Sequence, residues 1–226
     1  FMGSELASSG IPQGKELEML EPFRNELPPE LFTQEFKLPI YAGPQDERTY
    51  LREAIKLFGE AGWTLKDGRM VNAKGEPFEF EILDNDDSLE PTITFYSNIL
   101  RKIGVTVRLR VVDSSQYTNR LNNFDFDSVL PVGLSQSESP GNEQRDFWSS
   151  KAADIPGSRN YSGIKNPVVD KLVDRVIFAT DRDDLVAATR ALDRVLLWNY
   201  YLLPQLTRDK TFIAYWNKFG IPATQP

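Results

Sequence analysis

The chain has 226 residues, 40% of them apolar and 26% charged, with a formal charge of −7 and neither histidine nor cysteine. The two zeros exclude a Ser-His-Asp triad, a cysteine nucleophile, a histidine base, disulfides and any zinc site with sulfur or imidazole ligands. The acidic balance, the lack of basic runs and the lack of any apolar stretch of membrane length speak against a nucleic-acid partner and a membrane span.

The first forty residues are weakly periodic. Gly10-Ile11-Pro12-Gln13-Gly14 and Pro28-Pro29 interrupt them, around a short acidic helical stretch from Lys15 to Pro22. They read as a connector lying over another part of the molecule. From Pro44 the pattern sharpens. Tyr50, Leu51, Ala54, Ile55, Leu57, Phe58 and Ala61 recur at helical spacing, and Gly62 stands where a helix would end in the left-handed region. Lys66-Asp67-Gly68 and Lys74-Gly75 are turn signals that bracket a short hairpin around Arg69 to Asn72. Phe78, Phe80 and Ile82 alternate with Glu79 and Glu81, the pattern of a half-buried strand.

Pro91 is placed to open a helix whose stripe is Ile93, Tyr96, Ile99, Leu100 and Ile103, closed by Gly104. Val105, Val107, Leu109 and Val111 then alternate with polar residues. Strand, helix, strand at this spacing predicts a parallel pair with a right-handed crossover. A short helix from Ser115 to Leu121 and a strand from Phe124 to Leu130 follow.

From Pro131 to Lys165 no period persists. Seven serines, four glycines and three prolines fill the stretch, with Phe147, Trp148 and Tyr161 among them. A loop this long is usually functional or disordered, and its aromatics favour order, with room for a helical turn inside. Asn166, before Pro167, and Asp181, with Asp184 three residues on, cap two further helices. Tyr201 to Trp216 is strand-like and aromatic.

Several constellations bear on chemistry. Asp84-Asn85-Asp86-Asp87-Ser88 begins like a calcium loop, but Leu89 replaces the required glycine and Phe95 the final glutamate. The plain reading is a polar loop before a helix. Asp125 and Asp127 share one strand face, which either serves acid-base chemistry or is simply wet. If they act as a catalytic pair, the protein is a carboxylate-dependent α/β hydrolase. No phosphate-binding or nucleophile-elbow motif is present. The long loop offers Ser135, Glu138, Asn142, Glu143, Arg145, Asp146, Trp148, Asn160 and Tyr161. That inventory suits a polar zwitterionic ligand, with carboxylates for an amine, Arg for a carboxylate and Trp for stacking. The alternative is a surface loop anchored to the core by Phe147 and Trp148.

Ala54-x-x-Leu57 with Glu60-Ala61-Gly62-Trp63, the Gly68/Gly75 hairpin, Ile103-Gly104-Val105-x-Val107 and the run Gly157-Ser158-Arg159-Asn160-Tyr161-Ser162-Gly163-Ile164-Lys165-Asn166-Pro167 occur here in order. With Arg190-Ala191-Leu192-Asp193 and Tyr200-Tyr201-Leu202-Leu203-Pro204 they resemble the extracytoplasmic solute-binding proteins of peptide ABC importers, family 5, over roughly residues 40 to 216. Gln144-Arg145-Asp146-Phe147-Trp148 and Arg194-Val195-Leu196-Leu197-Trp198 are closest to the Yej-type branch, linked to peptide and microcin C uptake.

The resemblance implies an α/β fold: a type II periplasmic-binding-protein-like lobe with a mixed sheet flanked by helices, from an incomplete two-lobe protein. Residues 1–40 would be a connecting segment or remnant of the first lobe, 41–200 the second, C-terminal ligand-binding lobe, and 201–226 a return toward the first. It implies a periplasmic protein whose signal peptide belongs to the full-length precursor, monomeric when complete. Its partners would be a peptide or peptide-like ligand and an inner-membrane permease. The ligand would favour a closed state about a hinge. No catalysis, cofactor or metal is implied. In the family the loop before the Asn-Pro helix faces the ligand, often with an aspartate for a peptide's amino terminus. Glu138 is the only acid in the matching stretch, Gly133-Leu134-Ser135-Gln136-Ser137-Glu138-Ser139-Pro140, which leaves room for an opine or oligosaccharide.

Overall fold

Two apolar clusters organise the chain, and they draw on different stretches of sequence. In the computed structural model the described residues are 1–130, 137–204, Ala214, Trp216, Lys218 and Gly220. The helices, in order, are α1 (Gly14–Leu20), α2 (Glu30–Thr33), α3 (Pro44–Glu60), α4 (Glu90–Arg101), α5 (Ser114–Asn122), α6 (Glu143–Trp148), α7 (Pro167–Ile177) and α8 (Arg182–Trp198). The strands are β1 (Thr64–Lys66), β2 (Arg69–Val71), β3 (Glu79–Asp84), β4 (Thr106–Val111) and β5 (Ser128–Val129).

The first cluster is helical. Leu20, Leu27, Leu31 and Phe32 from the opening segment pack with Phe147 and Trp148 of α6, Val168, Val169, Leu172, Val173 and Val176 of α7, and Ala188, Ala191, Leu192, Val195 and Leu196 of α8. The expected caps form. The Asn166 side chain accepts the Val168 N–H at 2.9 Å, and Asp181 accepts the Asp184 N–H at 2.8 Å. The opening segment, so weakly periodic in sequence, is held by polar contacts to one face of α8. Arg190 donates to the Glu5 carbonyl at 2.8 Å, Asp193 accepts the Ser8 N–H at 2.9 Å, and Arg194 donates to Glu16 at 2.6 Å. Such anchoring leaves no periodicity to read.

The second cluster centres on Met70, Ile103 and Val105, with Leu51, Ala54, Ile55 and Phe58 of α3 against it. Phe78 sits at its middle, edge-on to Phe58 at 5.1 Å and to Trp63 at 4.7 Å. The hairpin forms as expected. Asp67 (φ 49°) and Gly68 (φ 76°) take the two positive-φ positions between β1 and β2.

β3 and β4 pair in parallel, from Glu79 opposite Thr106 to Asp84 opposite Val111, as the strand-helix-strand spacing predicts. β5 pairs in parallel on the other edge of β3, so the order is β4-β3-β5. Parallel pairing belongs to this sheet, and the antiparallel hairpin stands apart from it.

Two elements depart from the sequence reading, and the long loop agrees with it. The strand expected over Phe124 to Leu130 shrinks to Ser128–Val129, because Phe124 turns at φ 54° and the Asp125 N–H is drawn back to the Arg120 carbonyl at 2.9 Å. The long loop does hold helical structure, α6 and a 3-10 turn at Ala152–Asp154. Tyr201–Pro204 is bent chain outside any strand, and residues 205–213 of the expected closing strand lie outside the described residues.

Candidate functional site

The site starts from the alternation of β3. Phe78, Phe80, Ile82 and Asp84 share one register, the apolar one, so the period of two carries a carboxylate to the buried face at the end of the strand. Leu83 on the other face is buried too. Asp84 is 4% exposed. Its Oδ1 accepts the Asn85 N–H at 2.8 Å, while its Oδ2 is buried and has no hydrogen-bond partner. A buried acceptor left without a donor costs about 1–3 kcal/mol, and more when charged.

Topology gives this oxygen its interest. The chain runs from β3 through α4 to β4 on one side, then through α5 to β5 on the other. The winding therefore reverses at β3. In open parallel α/β sheets, ligands bind outside the carboxyl ends of the strands where the winding reverses.

Tyr117 lies at this end, within electrostatic reach of Tyr161. Tyr117 of α5 donates its hydroxyl to the Leu130 carbonyl, just past β5, at 3.1 Å. Burial pushes its phenol pKa up, and Asp84, Tyr161 and Asp86 add to the rise. Tyr161 reaches in from the long loop, half-buried, its ring edge-on to Phe126 at 6.3 Å. Burial raises its phenol as well, opposed by Arg159 and assisted by Asp146. Asp84, Tyr117 and Tyr161 thus share one electrostatic neighbourhood.

α6 sends the loop residues in three directions. Asp146 pairs with Arg159 at 2.6 Å, and the guanidinium lies 4.0 Å above the Phe147 ring. Glu143 lies on that side: burial pushes its carboxyl up, but the Gly141 and Glu143 N–H groups, Gln144 and Arg159 outweigh this and hold it below the usual range. Arg145 turns to α7, with Asp174 at 2.8 Å and the Asn142 amide oxygen at 2.9 Å. Glu138 is exposed, its carbonyl accepting from Arg182 at 2.6 Å. Trp148 and Asn160 have internal partners instead of a ligand-facing surface. Trp148 is 4% exposed within the helical cluster and donates to Gln144 at 2.9 Å. Asn160, 1% exposed, accepts the Ile164 N–H at 2.9 Å and donates to the Ser149 and Ile164 carbonyls at 2.9 and 3.0 Å. Ser135 lies outside the described residues. Of the eight expected residues that are described, Glu143, Asp146 and Tyr161 gather around Arg159, and the other five do not.

Asn160→Ala removes three buried hydrogen bonds and leaves their partners bare. We expect a loss of about 2–3 kcal/mol, read as a lower urea midpoint with an unchanged slope. A change under about 0.5 kcal/mol would show that the loop is held by other means.

In sequence Asp84 reads as part of a polar loop, although its place in the apolar register is visible. Asp125 and Asp127 do not form a catalytic pair. They line a cavity of about 450 Å³ at the opposite, amino-terminal end of β3. Asp125 is 69% exposed at its side chain and pairs with Arg120 at 3.0 Å, Asp127 accepts the Glu81 N–H at 2.9 Å, and Glu81 also pairs with Arg120 at 3.0 Å. Exposed acids occupied by an arginine and a backbone amide are poor general bases. Among the described residues, no cluster of acids could hold a metal. No described helix is long and apolar enough to cross a membrane.

A family model of bacterial extracellular solute-binding proteins, family 5 Middle, matches residues 25–154. The chain belongs to this family. It is 52% identical over 227 residues to the probable peptide-binding protein YejA of Agrobacterium fabrum, which covers all of this chain and 37% of that protein. It is 36% identical over 228 residues to the uncharacterized protein YejA of Escherichia coli, again covering all of this chain and 37% of the relative. The chain thus spans little more than a third of the curated relatives it matches. Among solved structures, the oligopeptide-binding protein AppA of Bacillus subtilis in complex with a nonapeptide aligns at 26% identity and a TM-score of 0.58, over 66% of this chain and 30% of AppA. The periplasmic oligopeptide-binding protein TM1223 of Thermotoga maritima, with mannohexaose bound, aligns at 20% identity and a TM-score of 0.59, over 88% of this chain and 35% of TM1223. The fold is that of the family 5 periplasmic binding proteins, present in part.

Proposed function

We propose that the protein carrying this chain is the substrate-binding component of an ABC importer. It captures oligopeptides, or peptide-like compounds of the microcin C type, in the periplasm and delivers them to a permease in the inner membrane. The observation that carries this reading is the 52% identity, along the whole chain, to a protein named as a probable peptide-binding protein. Residues 41–200 would be most of one ligand-binding lobe, 1–40 a connecting segment and 201–226 a return toward the other lobe. The loop over residues 135 to 161 would face the ligand, with Trp148 and Asn160 supporting its shape. The ligand acts by differential contacts that favour the closed arrangement, without bond chemistry. The complete protein would work as a monomer.

Calorimetry on the full-length protein with short peptides, an opine and an oligosaccharide tests the reading. Saturable binding of peptides is expected. Binding of the opine or the oligosaccharide with no peptide bound would overturn it.

A further inference from the structure

We propose that Arg182 is a positioning residue for ligand capture: its guanidinium ties the backbone at Glu138 to the opening segment, and so sets where this edge of the loop stands before a ligand arrives. The inference rests on the peptide reading, in which the loop faces the ligand, and adds what keeps it in place.

Arg182 is the first residue of α8, after the Asp181 cap and before Asp183 and Asp184. A cation is disfavoured in the first turn of a helix, where acids are favoured. The arginine gains nothing from its own helix, and its side chain serves other stretches. Its Nε donates to Glu5 Oε1 at 2.9 Å, and one terminal nitrogen bonds the same oxygen. The other terminal nitrogen donates to the Glu138 carbonyl at 2.6 Å. Glu5 is 177 positions away and Glu138 is 44, so one side chain joins three separate stretches. The Glu5 backbone is itself held, because Arg190 of α8 donates to its carbonyl at 2.8 Å.

The loop has little else to place it here. Ser137, Glu138 and Ser139 are exposed, and Pro140 is the next buried residue. The neighbouring hydrogen bonds are local, from the Ser139 N–H to the Ser137 hydroxyl at 2.9 Å and from the Gly141 N–H to Glu143 at 2.8 Å. Those bonds shape the loop, and the Arg182 bond places it. The task needs a planar fork, since one group serves a carboxylate and a carbonyl in a fixed relation, which an ammonium on a flexible stem does not preserve. A loop held beforehand loses less freedom on binding, and this raises affinity without a new contact to the ligand. The Arg182 and Glu5 side chains are 43% and 57% exposed, so their ion pair adds little to stability. Affinity and stability should therefore respond separately.

The test uses the full-length protein and short peptides, read by calorimetry, urea titration and amide hydrogen exchange. Arg182→Gln is expected to weaken peptide affinity about three- to tenfold, to leave the urea midpoint nearly unchanged, and to speed exchange over residues 138–142. Arg182→Lys keeps the charge without the fork and should lose nearly as much affinity. Glu5→Gln should show part of the loss, and the double variant no more than Arg182→Gln alone, because the two residues act as one device. If Arg182→Gln does not fold, Arg182→Lys and Glu5→Gln decide by the same readings. Affinity within about twofold of wild type in folded Arg182→Gln, or full affinity in Arg182→Lys, overturns the proposal and leaves the peptide reading standing. A lower urea midpoint with unchanged affinity shows a structural role alone and overturns it too. Wild-type protein that binds no peptide overturns both.

Discussion

Arg194→Leu will destabilise the protein by about 3–5 kcal/mol, read as a fall in the urea midpoint and faster proteolysis of the opening segment. Arg194 is 1% exposed, and its guanidinium serves three acceptors: Glu16 at 2.6 Å, the Gly10 carbonyl at 2.7 Å and the Ser9 carbonyl at 2.9 Å. Leucine fills much of the volume and satisfies none of them. It leaves the Glu16 carboxylate buried without its counter-charge, which is the expensive state. The double variant Arg194→Leu with Glu16→Leu removes both charges, so it should recover part of the loss. A double variant no better than Arg194→Leu alone would show that the two carbonyls, and not the ion pair, set the cost.

Gly104→Ala should cost roughly 3–5 kcal/mol, summing a positive-φ penalty and an overpacking penalty. Gly104 has φ +78°, and a Cβ there would lie 2.6 Å from the Met70 amide nitrogen, 2.7 Å from Leu65 Cδ1 and 2.8 Å from the Arg69 carbonyl carbon. Two of those neighbours are backbone and cannot rotate away. The hairpin is also tied to this spot, since the Met70 N–H donates to the Gly104 carbonyl at 2.8 Å. Gly62 is the internal control. Its φ is +87° but nothing lies within 4 Å, so Gly62→Ala should cost only about 1–2 kcal/mol of backbone strain. Equal losses at the two positions, measured by denaturant titration, would remove the packing argument.

The fold was legible where one physical signal dominated. Period-two alternation located β3 and β4, Asn166 and Asp181 marked the starts of α7 and α8, and Asp67-Gly68 marked the hairpin. β5 was over-extended because nothing in Phe124 announces a left-handed backbone. The opening segment is hard to read in sequence because its order comes from Arg190, Asp193 and Arg194, far along the chain. The candidate site was less legible. Composition drew attention to α6 as one ligand-facing strip, yet six residues of helix cannot turn every side chain the same way. Trp148 went to the core and Arg145 to α7. Asp84 was visible as a break in the apolar register, but its missing donor is a property of three-dimensional neighbours and has no sequence signature.

The Arg194–Glu16 bond joins residues 178 positions apart. The sheet and its hairpin occupy residues that lie wholly between the two halves of the helical cluster. During synthesis, the residues of β1 to β5 therefore emerge after the opening segment and before those of α8. Closing so long a loop carries little extra thermodynamic penalty, since each doubling of length adds only about 0.6 kcal/mol. The effect is one of order in time: the middle of the chain can condense before α8 is available to receive the opening segment.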